Sequence, residues 1–177
     1  MKNGMKQSKR LAAAAIMAAL GFVILLLGSV ITVLDLTAVA LASFLIILAV
    51  IEIGGFYPYL IWLVTGFLAV LLLPDKFGAV IYLCFGGIYP IFKAMFERLH
   101  LVISWILKLS AFNTMLTAAI LIANFILRLP ETELSFTLPL FAVCNVAFIL
   151  YDIASTQLIT LYLVKLRRRL GLGNFFV

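Results

Sequence analysis

The sequence predicts an all-α polytopic membrane protein, a bundle of six transmembrane helices with both termini in the cytoplasm. Three observations predict it. Of 177 residues, 66% are hydrophobic and only 11% charged, against about 45–50% and about 25% in soluble domains. A soluble chain of this size has no core large enough to hide that much apolar surface. The apolar runs, such as LASFLIILAVI and LIWLVTGFLAVLLL, do not alternate as the strands of a membrane barrel would. Basic residues gather on one side: with six spans, Lys2, Lys6, Lys9, Arg10, Lys93, Arg98, Lys108, Lys165, Arg167, Arg168 and Arg169 fall with the termini, and only Lys76 and Arg128 lie opposite. The positive-inside rule makes the crowded side cytoplasmic.

Six spans follow in order along one integral domain, residues 1–177. The first, 11–34, is closed by Asp35 and is too long for the core of a cleavable signal peptide. The second is 36–53, ending near Glu52 and a Gly54-Gly55 turn. The third, 56–73, carries Pro58 in its first turn, where a missing N–H costs little, and Tyr57 and Tyr59 suit an interfacial belt. Pro74-Asp75-Lys76 then breaks the chain before the fourth span, 77–92, whose inner end Pro90 kinks. Lys93, Glu97, His100, Ser104 and Lys108 recur at spacings of 4, 3, 4 and 4. Such a polar stripe on an apolar helix fits an interfacial amphipathic stretch over 93–108; the other reading is the start of a long tilted span with snorkelling lysines. The fifth span is then 109–127 and, after the polar loop RLPETELS, the sixth is 136–164.

The net charge of +6 and isoelectric point near 9.6 do not point to nucleic acid, because the charges flank the first and last spans as orientation and headgroup-binding signals do. Cys84 and Cys144 are single and lie in apolar runs, so neither a disulfide nor a metal site is expected. No P-loop and no H-E-x-x-H occurs, and the one histidine, His100, lies at the cytoplasmic edge. Tyr151-Asp152 is similar to the Tyr-Asp pair of intramembrane aspartyl proteases, but their Gly-x-Gly-Asp partner is missing, and one aspartate makes no dyad. The expectation is a protein without catalytic residues, cofactor or metal.

Polar groups inside spans mark functional candidates. Tyr82, Asn124 and Asn145 are placed to line an outward-facing cavity of modest polarity, with Trp62 and Thr65 adding an aromatic ring and a hydroxyl. The competing reading of the asparagines is hydrogen bonding between helices. Asp152 has two readings, an ion pair with Lys108 or a substrate or proton role. Asp35, with Thr37, is read as capping the second helix near its positive dipole end.

The first span carries RLAAAAIMAAL. Ala14, Ala18, Gly21 and Gly28 lie near one line, interrupted by Leu25, and small residues let helix backbones approach closely. The strip reads as a docking surface; its alternative is packing inside the protein's own bundle. Ala14/Ala18 and Ala15/Ala19 form Ala-x-x-x-Ala pairs. With the length, the six spans and the aspartate-led LDLTAVALASF segment, the chain resembles the substrate-binding S components of energy-coupling factor (ECF) transporters. The resemblance implies a receptor in a prokaryotic cell membrane that binds an unidentified vitamin-like micronutrient from outside. It also implies docking through Ala14, Ala15, Ala18, Ala19 and Gly21 on a transmembrane coupling subunit served by two separate ATPases. The scarcity of charge near the outer pocket favours a neutral, aromatic or largely apolar substrate. Two other readings stand beside it: a non-transporting scaffold for envelope assembly, and a stand-alone proton-coupled carrier using Asp152.

Overall fold

Proline and glycine divide the chain into rods, and hydropathy makes the rods long. The computed structural model describes residues 2–31, 34–122 and 138–166, and every regular element in them is helical. They are α1 (Lys2–Val30), α2 (Asp35–Glu52), α3 (Tyr57–Leu72), α4 (Phe77–Ile81), α5 (Tyr89–Phe96), α6 (Leu101–Leu121) and α7 (Leu138–Leu161). α4 runs through a π-helical turn, Tyr82–Gly86, toward α5, and α7 ends in another, Tyr162–Leu166. Pro90 in the first turn of α5 supplies no N–H to the preceding turn, which fits the break at Gly87 and Ile88.

Among the described residues, five helical rods are long and apolar enough to cross a membrane: Gln7–Val30, Asp35–Glu52, Phe77–Phe96, Leu101–Leu121 and Pro139–Lys165. The third expected span forms a helix of only 16 residues, about 24 Å long, against a hydrocarbon core of about 30 Å. The expected end of the fifth span, at 127, lies outside the described residues.

α1 packs chiefly on α2 and α3. Its small-residue strip faces inward: Ala14, Ala18 and Gly21 are buried, and the two alanines join Ile46, Ala49, Ile53, Ile61 and Ile91 in one core cluster. Gly28 meets Ala38 so closely that a Cβ there would lie 2.3 Å from the alanine methyl. The packing alternative therefore describes Ala14, Ala18, Gly21 and Gly28, while Ala15 and Ala19 face outward. The α2–α3 turn needs glycine: Gly54 and Gly55 have φ of 64° and 63°, a region costly for other residues. Asp35 is buried in the first turn of α2 beside Gly78.

The 93–108 stretch is not one interfacial helix. α5 ends at Phe96, the chain turns over residues 97–100, and α6 starts at Leu101 and continues past 109 without a break. The turn holds neither glycine nor proline. Lys93 and Lys108 consequently stand on different helices, and both are buried. What buries them is a shared countercharge on α7.

Candidate functional site

Asp152 is 2% exposed and gathers charge from three elements. Lys93 Nζ on α5 donates to Asp152 Oδ1, to the Asp152 carbonyl at 3.1 Å and to Thr156 Oγ1 at 2.8 Å. Lys108 Nζ on α6 donates to Asp152 Oδ2 at 2.9 Å and stands 5.4 Å from the centre of the Trp105 ring. Tyr89 Oη donates to Asp152 Oδ1 at 2.5 Å. Glu97, exposed at 38%, brings Oε1 to 3.1 Å from Lys93 Nζ and 3.3 Å from Lys108 Nζ. Two ammonium groups and two carboxylates make the cluster neutral, and a buried charge is tolerable in apolar surroundings only when paired and hydrogen-bonded. Of its members, the sequence reading paired only Asp152 and Lys108.

An aromatic layer lies directly against this cluster. Phe112 and Phe148 stack at 4.4 Å with an interplanar angle of 11°. Phe85 stacks on Tyr89 at 5.1 Å and meets Phe112 edge-on at 5.3 Å. Tyr89 is fully buried and meets Phe148 edge-on at 5.1 Å. These offset and perpendicular geometries are the ones that the ring quadrupole favours.

Beyond the layer, in the half of the bundle away from the start of α1, is a cavity of about 240 Å³. Its walls are Leu36, Val39, Ala40 and Ser43 of α2; Ile81, Phe85 and Gly86; Phe112, Met115, Leu116 and Ala119 of α6; and Cys144, Ala147, Phe148 and Tyr151 of α7. Among the described residues, no wall residue is charged. Ser43 and Tyr151 are hydrogen-bonded to each other through their hydroxyls. Among the described residues, three other hollows are wider and more open: a groove of about 510 Å³ lined by residues including Cys84, Phe92 and Leu107, a cleft of about 430 Å³ flanking Glu97 and Lys108, and a hollow of about 420 Å³ along Thr156, Thr160 and Lys165.

The residues singled out from sequence separate into three places. Trp62, Thr65 and Tyr82 meet in the core between α1, α3 and the π-turn. There Trp62 Nε1 donates to the Leu83 carbonyl at 3.1 Å and Thr65 Oγ1 donates to the Ala18 carbonyl at 3.2 Å, while Tyr82 is fully buried. Asn145 pairs with Asn113: each amide donates to the other at 3.0 Å, and each also donates to a carbonyl one turn back on its own helix. This is the interhelical reading. Asp152 lies in the charge cluster, and Asn124 is outside the described residues. None of the five that are described lines the cavity.

Ser43, Phe85, Phe112, Phe148 and Tyr151 are among the wall residues that the sequence reading missed. A trace was there: Phe148, Tyr151 and Asp152, at spacings of 3 and 1, put two rings and an acid on neighbouring faces of one helix.

Among the described residues, no three His, Cys, Asp or Glu side chains gather in a way that could hold a metal ion. The chain matches no protein-family model, no curated protein and no solved structure. Fold and site thus define the class alone: an all-α bundle whose described residues include five helices of membrane-crossing length and apolarity.

Proposed function

We propose that the protein is the membrane-embedded substrate-binding subunit of an ATP-driven uptake transporter for a micronutrient, working with a separate coupling subunit and ATPases in the cell membrane of a prokaryote. The observation that carries this reading is the cavity of about 240 Å³, which lies in one half of the bundle only. The positive-inside rule makes the half holding the start of α1 cytoplasmic, so the cavity lies toward the outside. Beneath it stand the aromatic layer and the neutral charge cluster. A cavity open on one side of a packed, charge-paired layer suits a receptor that takes its ligand from outside.

Docking in this reading uses the outward face of α1. Ala12, Ala15 and Ala19 lie on that face at spacings of 3 and 4 and are exposed; Ala14, Ala18 and Gly21 instead hold α1 to its own bundle. The carrier reading is weakened by Asp152, whose carboxylate is held by both lysines. The scaffold reading shares the α1 face but requires no cavity.

The test is a thermal-shift screen of the purified protein in lipid nanodiscs against vitamins and related micronutrients, with Ala147→Trp as a cavity-filling control. A ligand at a hundred times its dissociation constant stabilises the fold by about 2.7 kcal/mol. A hit lost in Ala147→Trp supports the receptor reading. Silence across the panel from folded protein, or hits indifferent to Ala147→Trp, counts against it.

A further inference from the structure

The cavity's chemistry narrows its ligand. Its volume, about 240 Å³, compares with about 150 Å³ for an apolar engineered cavity that accepts benzene, which sets the scale at one ring with a substituent. Phe85, Phe112, Phe148 and Tyr151 supply aromatic surface from three elements. A charged ligand would lose its water and gain no countercharge from the described walls, since none of the described wall residues is Asp, Glu, Lys, Arg or His and Asp152 already faces two lysines. Among the described wall residues, the polar station is the Ser43–Tyr151 hydroxyl pair. Their mutual bond uses one O–H, which leaves the second to donate. Cys144 adds only a weak donor.

We infer that the cavity between α2, the π-turn, α6 and α7 takes a neutral, single-ring aromatic molecule bearing one hydrogen-bond acceptor, which the Ser43–Tyr151 pair receives. This rests on the receptor reading above and adds the substrate class. A lipid acyl chain, the other apolar candidate, has no acceptor for that pair.

Benzamide, benzoate and benzamidinium share one shape and differ in charge, and toluene lacks the polar group. Their binding is measured by calorimetry with the full chain in nanodiscs, against Ala147→Trp nanodiscs to subtract partition into lipid. Benzamide is expected to bind at least about tenfold more tightly than either ion. Tyr151→Phe, or Ser43→Ala should that variant fold poorly, is expected to weaken benzamide by up to about tenfold, the scale of one hydrogen bond, and to leave toluene within about twofold. An ion that binds best, with binding lost in Ala147→Trp, overturns the neutral-ring chemistry and leaves the receptor standing. Benzamide binding that ignores both hydroxyl variants overturns the polar station. Equal uptake of every probe by wild type and Ala147→Trp overturns the chemistry and the receptor together.

Discussion

Tyr151 and Asp152 are consecutive on α7, yet Tyr151 lines the apolar cavity and Asp152 holds the lysines of the charge cluster. Neighbouring residues on a helix point about 100° apart, so one turn of α7 forms a wall of the cavity and the centre of the cluster beside it. Stability and ligand binding are therefore separable by mutation at adjacent positions.

Replacing Asp152 with Asn should destabilise the fold by about 3–5 kcal/mol, because Lys93 and Lys108 then keep buried charge with too little compensation. Combining it with Lys108→Met should cost much less than the sum of the two single changes. Glu97→Gln, at an exposed group, should cost less than about 1 kcal/mol. Unfolding in mixed detergent reads all three.

The Asn113–Asn145 pair predicts a smaller effect. Asn145→Ala should cost about 0.6 kcal/mol and at most about 1.7, the range measured for hydrogen bonds between membrane helices. Adding Asn113→Ala should then bring little further loss. An additive double mutant in the same unfolding assay would contradict mutual pairing.

The two faces of α1 should respond oppositely. Gly28→Ala forces a methyl to within 2.3 Å of the Ala38 methyl and should lower the melting temperature, with a cost of about 1–3 kcal/mol typical of overpacking. Ala15→Leu and Ala19→Leu, which point outward, should leave melting unchanged and, on the proposed function, abolish ATP-driven uptake while sparing ligand binding. A paired melting and uptake assay checks both halves.

Hydropathy was enough to read five long helices, the Gly54-Gly55 turn and the break near Pro90, because each has a local cause. The 93–108 stretch was misread for a physical reason. Its 4, 3, 4, 4 spacing is continuous, and the turn at 97–100 has no glycine or proline to announce it. The small-residue strip on α1 was legible as a close-packing face, but the sequence carries no record of which neighbour it meets. The same limit hid the cluster: Lys93 and Asp152 are 59 positions apart, and their pairing depends on the order of helices around the bundle. Ser43 was passed over because a single serine on an apolar helix often bonds its own backbone; here it reaches Tyr151, 108 positions away.

Cys144 offers the most direct test of whether the cavity holds the ligand, since it lines that space, whereas Cys84 lines the open groove between the π-turn, α5 and α6. In a Cys84→Ser background, the rate at which a small neutral thiol reagent modifies Cys144 is measured with and without a compound that raises the melting temperature. Occupancy of the cavity predicts that the saturating compound slows modification at least about tenfold, in proportion to the sites filled. A compound that stabilises the fold and leaves the Cys144 rate unchanged would contradict the account.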